Sequence, residues 1–109
     1  MGGAVEPPQE QLIRSIKITV VKAFGILMRD LESRSRERAV ESARQIAMYI
    51  ARSEMSLSLS EIAGVFRRRL VTVLNAVETV DKDRVLLSQA EHCMRVLVRN
   101  GILEGYESI

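Results

Sequence analysis

At 109 residues and 12.3 kDa the chain is long enough for one domain with a modest core and too short for a second. Apolar residues make up 47% and charged residues 28%, with 4% aromatics, so the composition argues against disorder and points to an aliphatic core. A net charge of +2 and a pI near 9.0 permit nucleic-acid binding without demanding it.

Residues 1–8 read as a flexible tail, and 9–109 as a single all-helical domain. The opening MGGAVEPPQEQ has neither a basic start nor an apolar signal core. No apolar run approaches the ~18 residues of a membrane span, so a cytoplasmic protein without membrane contact is expected. Apolar positions recur at three and four residues throughout instead of alternating, the mark of helices.

A first helix is expected from about Gln9 to Phe24, burying Leu12, Ile13, Ile16, Val20 and Phe24, with Pro7 and Pro8 ahead of it and Gly25 as its stop. A short helical turn follows around Leu27 to Glu32. The polar run Ser33 to Arg38 then forms a loop or opens the next helix. A third helix, about Val40 to Met55, carries Ala43, Ile46, Ala47 and Ile50 on one face. At Ser58 the sequence Ser-Leu-Ser-Glu61 forms a capping box that starts a brief helix ending near Phe66. Three arginines intervene before a helix from Leu70 to Val80, whose candidate core positions are Val73, Leu74, Val77 and Val80. Two short helices around a tight basic turn suggest a helix-turn-helix.

The last helix, roughly Asp83 to Asn100, starts behind Asp81 or Asp83 and stops at Gly101. Leu86, Ala90, Cys93, Met94 and Leu97 form its stripe, which Val85, Leu87, Val96 and Val98 widen. So broad an apolar surface calls either for deep burial or for a homodimer through this helix. Cys93 has no second cysteine to pair with and only His92 beside it. That leaves no disulfide and no metal site, and the two read as a half-buried helix pair.

The charge is unevenly placed. Thirteen of the sixteen basic residues are arginines, gathered at Arg34, Arg36, Arg38 and Arg44 and again at Arg67, Arg68 and Arg69. The planar guanidinium can bond two phosphate oxygens at once. From Glu78 onward six acids face four bases, which places any phosphate-binding surface on the first two thirds.

From about Ile16 to Phe66 the chain resembles the C-terminal DNA-binding domain of the bacterial replication initiator DnaA. The shared features are Asp30 and Leu31, the basic loop Ser33 to Arg38, Val40, Arg44 and Gln45, Ala47 and Met48, and the run LSLSEIAGVF. Beyond them stand Thr72, Val73, Leu74 and Ala76. The resemblance implies a domain of about six helices with a Trp-repressor-like helix-turn-helix, to which the helix at about 83–100 is an addition. It also implies double-stranded DNA as partner. On that pattern Arg34, Arg36, Arg38, Arg44, Arg67 and Arg68 would contact phosphate, and Arg69, Leu70, Val71, Thr72 and Asn75 would lie on the recognition helix.

This sequence departs from the family where bases are read. The family's minor-groove arginine, two residues before the Arg-Gln pair, is Ser42. The Asp-His-Thr that meets base edges becomes Arg69, Leu70 and Val71, and only the following threonine survives, as Thr72. The turn before them is one residue shorter and holds Arg67 and Arg68 without glycine, which removes easy access to positive φ. Side chains without hydrogen-bonding atoms cannot reproduce bidentate base contacts, so recognition of the DnaA box should be weakened or lost.

The initiator's nucleotide chemistry is not expected, because the glycines at 2, 3, 25, 64, 101 and 105 make no phosphate loop. No nucleophile stands with a base, so neither catalysis nor a cofactor is anticipated. Two readings follow. One is a stand-alone, non-catalytic DNA-binding regulator or accessory factor. The alternative is a protein-interaction module on the same fold, binding itself or a replication or transcription partner.

Overall fold

The computed structural model describes residues 7–103, in which six helices and no strand occur. They are α1 (Pro7–Phe24), α2 (Met28–Leu31), α3 (Arg38–Glu54), α4 (Leu59–Phe66), α5 (Leu70–Lys82) and α6 (Arg84–Arg99). Most of the tail expected over 1–8 lies outside the described residues. Pro7 and Pro8 belong to α1, where proline's fixed φ suits a first turn whose N–H groups have no partner.

The central helix is α3, which packs against all five of the others. Ala43, Ile46, Ala47, Ile50 and Ala51 are fully buried on it, and small alanines let neighbouring helices approach closely. Around it the core takes Ile16 and Val20 from α1, Ile62 from α4, Val73 and Val80 from α5, and Ala90, Cys93 and Leu97 from α6. Leu12 and Phe24, expected inside, are half-buried at the rim of α1, while Val21 is buried.

Local chemistry sets the helix ends. Gly25 at φ 65° and Gly101 at φ 74° stop α1 and α6 in the left-handed conformation that glycine adopts without a Cβ clash. The capping box at Ser58 forms as its sequence implies. The Glu61 N–H donates to Ser58 Oγ at 3.1 Å, and the Ser58 N–H donates to Glu61 Oε1 at 2.8 Å. Of the two aspartates that could start α6, it is Asp83 whose Oδ1 accepts from the Leu86 N–H at 3.0 Å.

In α6 the stripe Ala90, Cys93, Met94 and Leu97 is buried in the core, with Leu86, Leu87, Val96 and Val98 half-buried around it. Val85 stands apart, 66% exposed. His92 is exposed and Cys93 is buried, so they share no environment, and burial pushes the Cys93 thiol up to about 11. In α5 the expectation for Leu74 is corrected: Val73, Ala76 and Val80 face the core, whereas Leu74 is 40% exposed. Leu74 lies one turn after Leu70, which is itself exposed, on the same flank of the helix.

Candidate nucleic-acid interface

Three stretches separated in sequence meet along one side of α3: the loop 32–37, the N-terminal half of α3, and the turn 67–69 with the start of α5. Between them lies an open cleft of about 600 Å³ lined by Arg34, Arg36, Arg44, Arg67, Arg68 and Arg69, with Glu41 as its one carboxylate, together with Gln45, Thr72 and Asn75. Six guanidinium groups therefore converge where the sequence has two separate clusters.

The loop is built by its serines. Ser33 Oγ donates to Asp30 O at 2.7 Å, the Ser35 N–H donates to Ser33 Oγ at 3.0 Å, and the Glu37 N–H donates to Ser35 Oγ at 3.2 Å. Such side-chain turns give a segment without apolar anchors a fixed path. Its remaining acceptors point inward to Arg44. That guanidinium donates through Nε to Leu31 O at 3.1 Å, through Nη1 to Ser35 O at 3.3 Å, and through Nη2 to Ser33 O at 3.0 Å and Asp30 O at 3.4 Å.

Arg44 is thus not the outward clamp its sequence position suggested. It is 8% exposed, and most of its donors are committed to backbone carbonyls. Burial, and then the charge of Arg68, pull its pKa below the ordinary arginine value, with Glu41 opposing them. Arg68 is also tied down, with Nη2 donating to Ser33 O at 2.7 Å across 35 residues of sequence. It fastens the turn before α5 to the loop before α3.

The turn itself keeps a left-handed residue although no glycine is present. Arg67 sits at φ 54°, ψ 46°, the one non-glycine residue at positive φ among those described. Its N–H donates to Gly64 O at 3.3 Å, and the Arg68 N–H donates to Ala63 O at 2.9 Å, the paired bonds of a Schellman ending. This position costs a residue with a Cβ about 1–2 kcal/mol. Lys17 steadies the same corner from α1, its Nζ lying 5.1 Å from the Phe66 ring centroid and 3.3 Å from Glu32 Oε2.

The other anticipated residues divide plainly. Arg34, Arg36, Arg67 and Arg69 are exposed along the cleft. Thr72 and Asn75 form its α5 wall. Leu70 and Val71 are 50% and 52% exposed on the outer surface of α5 and do not line the cleft. Arg38 lines a neighbouring depression with Arg36, Ser42, Asp83 and Val85. Gln45 was absent from the expected site. Its position one turn after Glu41 on α3, beside Arg44, is the signal that would have found it.

Among the described residues the ion pair present is Lys17–Glu32, so no carboxylate lies within salt-bridge distance of the cleft's arginines. The first turn of α5 also carries no acid, leaving its helix-dipole positive end unopposed. Among the same residues no group of acids, histidine and cysteine could hold a metal ion, and no helix is long and apolar enough to cross a membrane.

Residues 13–80 match the bacterial dnaA protein helix-turn-helix family, a span running from α1 into α5 and ending before α6. Three similar proteins, all chromosomal replication initiator proteins DnaA, bear this out. The one from Symbiobacterium thermophilum is 43% identical over 77 residues, covering 70% of this chain and 17% of its own length. That from Dechloromonas aromatica is 35% identical over 92 residues, covering 84% and 19%. That from Pseudothermotoga lettingae is 33% identical over 93 residues, covering 81% and 20%. The chain thus spans about a fifth of the length of the relatives it matches.

Proposed function

Because this chain belongs to the bacterial DnaA helix-turn-helix family, we propose that it binds double-stranded DNA as a non-catalytic regulator or accessory factor that no longer selects the DnaA box. In this reading α5 enters the major groove, and Arg34, Arg36, Arg67 and Arg69 contact the flanking phosphates. Arg44 and Arg68 hold the two basic segments at a fixed separation. The observation that carries the proposal is the convergence of six arginines on a cleft where Glu41 is the one lining carboxylate and, among the described residues, no salt bridge reaches them, because guanidinium groups in such excess on one concave surface repel one another unless further anions join them. A phosphate backbone supplies such anions in series.

Loss of box selection rests on Arg69, Leu70 and Val71 occupying the positions where the family reads bases. Each bidentate base contact that is missing removes about 1–3 kcal/mol of discrimination. The competing reading, an interaction module using Leu70, Val71 and α6, has the exposure of Leu70, Val71 and Val85 in its favour, but the stripe Ala90, Cys93, Met94 and Leu97 of α6 is already committed to the core.

The test is a fluorescence-anisotropy titration against a DnaA box, a scrambled box and a random duplex of the same A·T content at two salt concentrations. Binding that weakens steeply with salt and differs little among the duplexes is expected. Strong box preference would contradict the lost selection, and no binding at low salt would contradict DNA binding itself.

A further inference from the structure

The recognition helix presents more than charge. Leu70, Val71 and Leu74 are 50%, 52% and 40% exposed, while the opposite side of α5 is buried through Val73, Ala76 and Val80. A major-groove base edge offers one apolar group, the C5 methyl of thymine, and the minor groove offers none. We infer that this face of α5 reads thymine methyl groups, so that the protein prefers A·T-rich major grooves; the inference rests on the DNA-binding reading above.

Asn75 supports the same assignment. It lies one helical turn after Val71 on the exposed side, about 6 Å further along the axis. The asparagine amide matches the N6 and N7 edge of adenine with two hydrogen bonds. An apolar group and an amide one turn apart suit a thymine and an adenine within about two base-pair steps, each step being about 3.4 Å. Charge complementarity favours DNA over a second copy of the chain as the occupant. Arg67 and Arg69 are exposed immediately before Leu70, so two copies placed face to face would bring like charges together.

The experiment uses three duplexes of one length at one salt concentration. One has alternating A·T pairs, the second is the same with deoxyuridine in place of thymidine, and the third has alternating G·C pairs. Deoxyuridine removes the methyl group and leaves the minor-groove edge unchanged, so the first two duplexes separate major-groove from minor-groove reading. Tighter binding to the thymidine duplex is expected, with affinity falling about fourfold for each methyl group taken away from beneath the helix. In the exposed double variant Val71→Ala/Leu74→Ala, which leaves Leu70 in place, the thymidine-to-deoxyuridine ratio should fall clearly below that of the intact protein, while the salt dependence persists.

An A·T preference unaffected by deoxyuridine would place the reading in the minor groove and overturn the inference. Equal binding to all three would overturn it too, leaving phosphate-driven binding intact. No binding to any of them, with a dimer in sedimentation, would overturn both the inference and the DNA-binding proposal.

Discussion

The loop 32–37 and the turn 67–69 are both rich in arginine and both border the cleft, yet they are held in opposite ways. The loop has no apolar anchor and depends on an arginine from α3, whose guanidinium fills the ring of carbonyls at Asp30, Leu31, Ser33 and Ser35. The turn takes its shape from backbone geometry, with Arg67 in the left-handed region and its own side chain exposed, and contributes Arg68 as a tie to the loop at Ser33 O. A cluster of like residues thus contains both the support and the contact surface, and only the placement of acceptors tells them apart.

The largest effect should come from removing the support. Arg44→Ala removes the donor to the Leu31 and Ser35 carbonyls, while Asp30 O and Ser33 O keep Ser33 Oγ and Arg68, and it should cost about 3 kcal/mol in urea denaturation, whereas Arg34→Ala should stay within ~0.5 kcal/mol. Equal effects would erase the distinction between the two kinds of arginine.

The turn predicts a change of opposite sign. Arg67→Gly relieves the left-handed strain and should stabilise the fold by about 1 kcal/mol, raising Tm by about 5 °C. The same substitution should weaken DNA binding, and a variant both more stable and equally tight would place Arg67 outside the contact surface.

A smaller effect probes the core independently of either arginine segment. Burial raises the Cys93 pKa to about 11, so at alkaline pH the unfolded thiol ionises while the folded one stays neutral. Its contribution is fully present below the unfolded value of about 8.5 and is lost as pH rises toward the folded value. Between pH 7.5 and 9 the urea-derived stability should fall by less than about 1 kcal/mol more than in Cys93→Ala, and the native thiol should resist alkylation at pH 8. Rapid alkylation of the folded protein would show that α6 does not seal the core.

The helices were legible because their signals are local. The three-and-four spacing, the capping box at Ser58 and the stop glycines at 25 and 101 each act within a few residues. The convergence of the two arginine clusters was not, since it depends on the path of α3 between them. The inward turn of Arg44 did leave a trace. It lies four residues after Val40, three before Ala47 and seven before Ala51, on the apolar side of α3, where a charged residue needs partners. Leu74 failed for the converse reason: an apolar residue at the edge of a stripe faces core or solvent according to where the neighbouring helix lies, which spacing alone does not give.

The most direct test of the account is the salt dependence of DNA binding for the intact protein and for Arg67→Ala/Arg69→Ala, measured with thermal melts of both. If these side chains hold phosphates, the slope of log Kobs against log salt should become shallower by about two units, with Tm unchanged or slightly raised. An unaltered slope in a folded variant would contradict the claim that the outward arginines of the turn are the DNA contact.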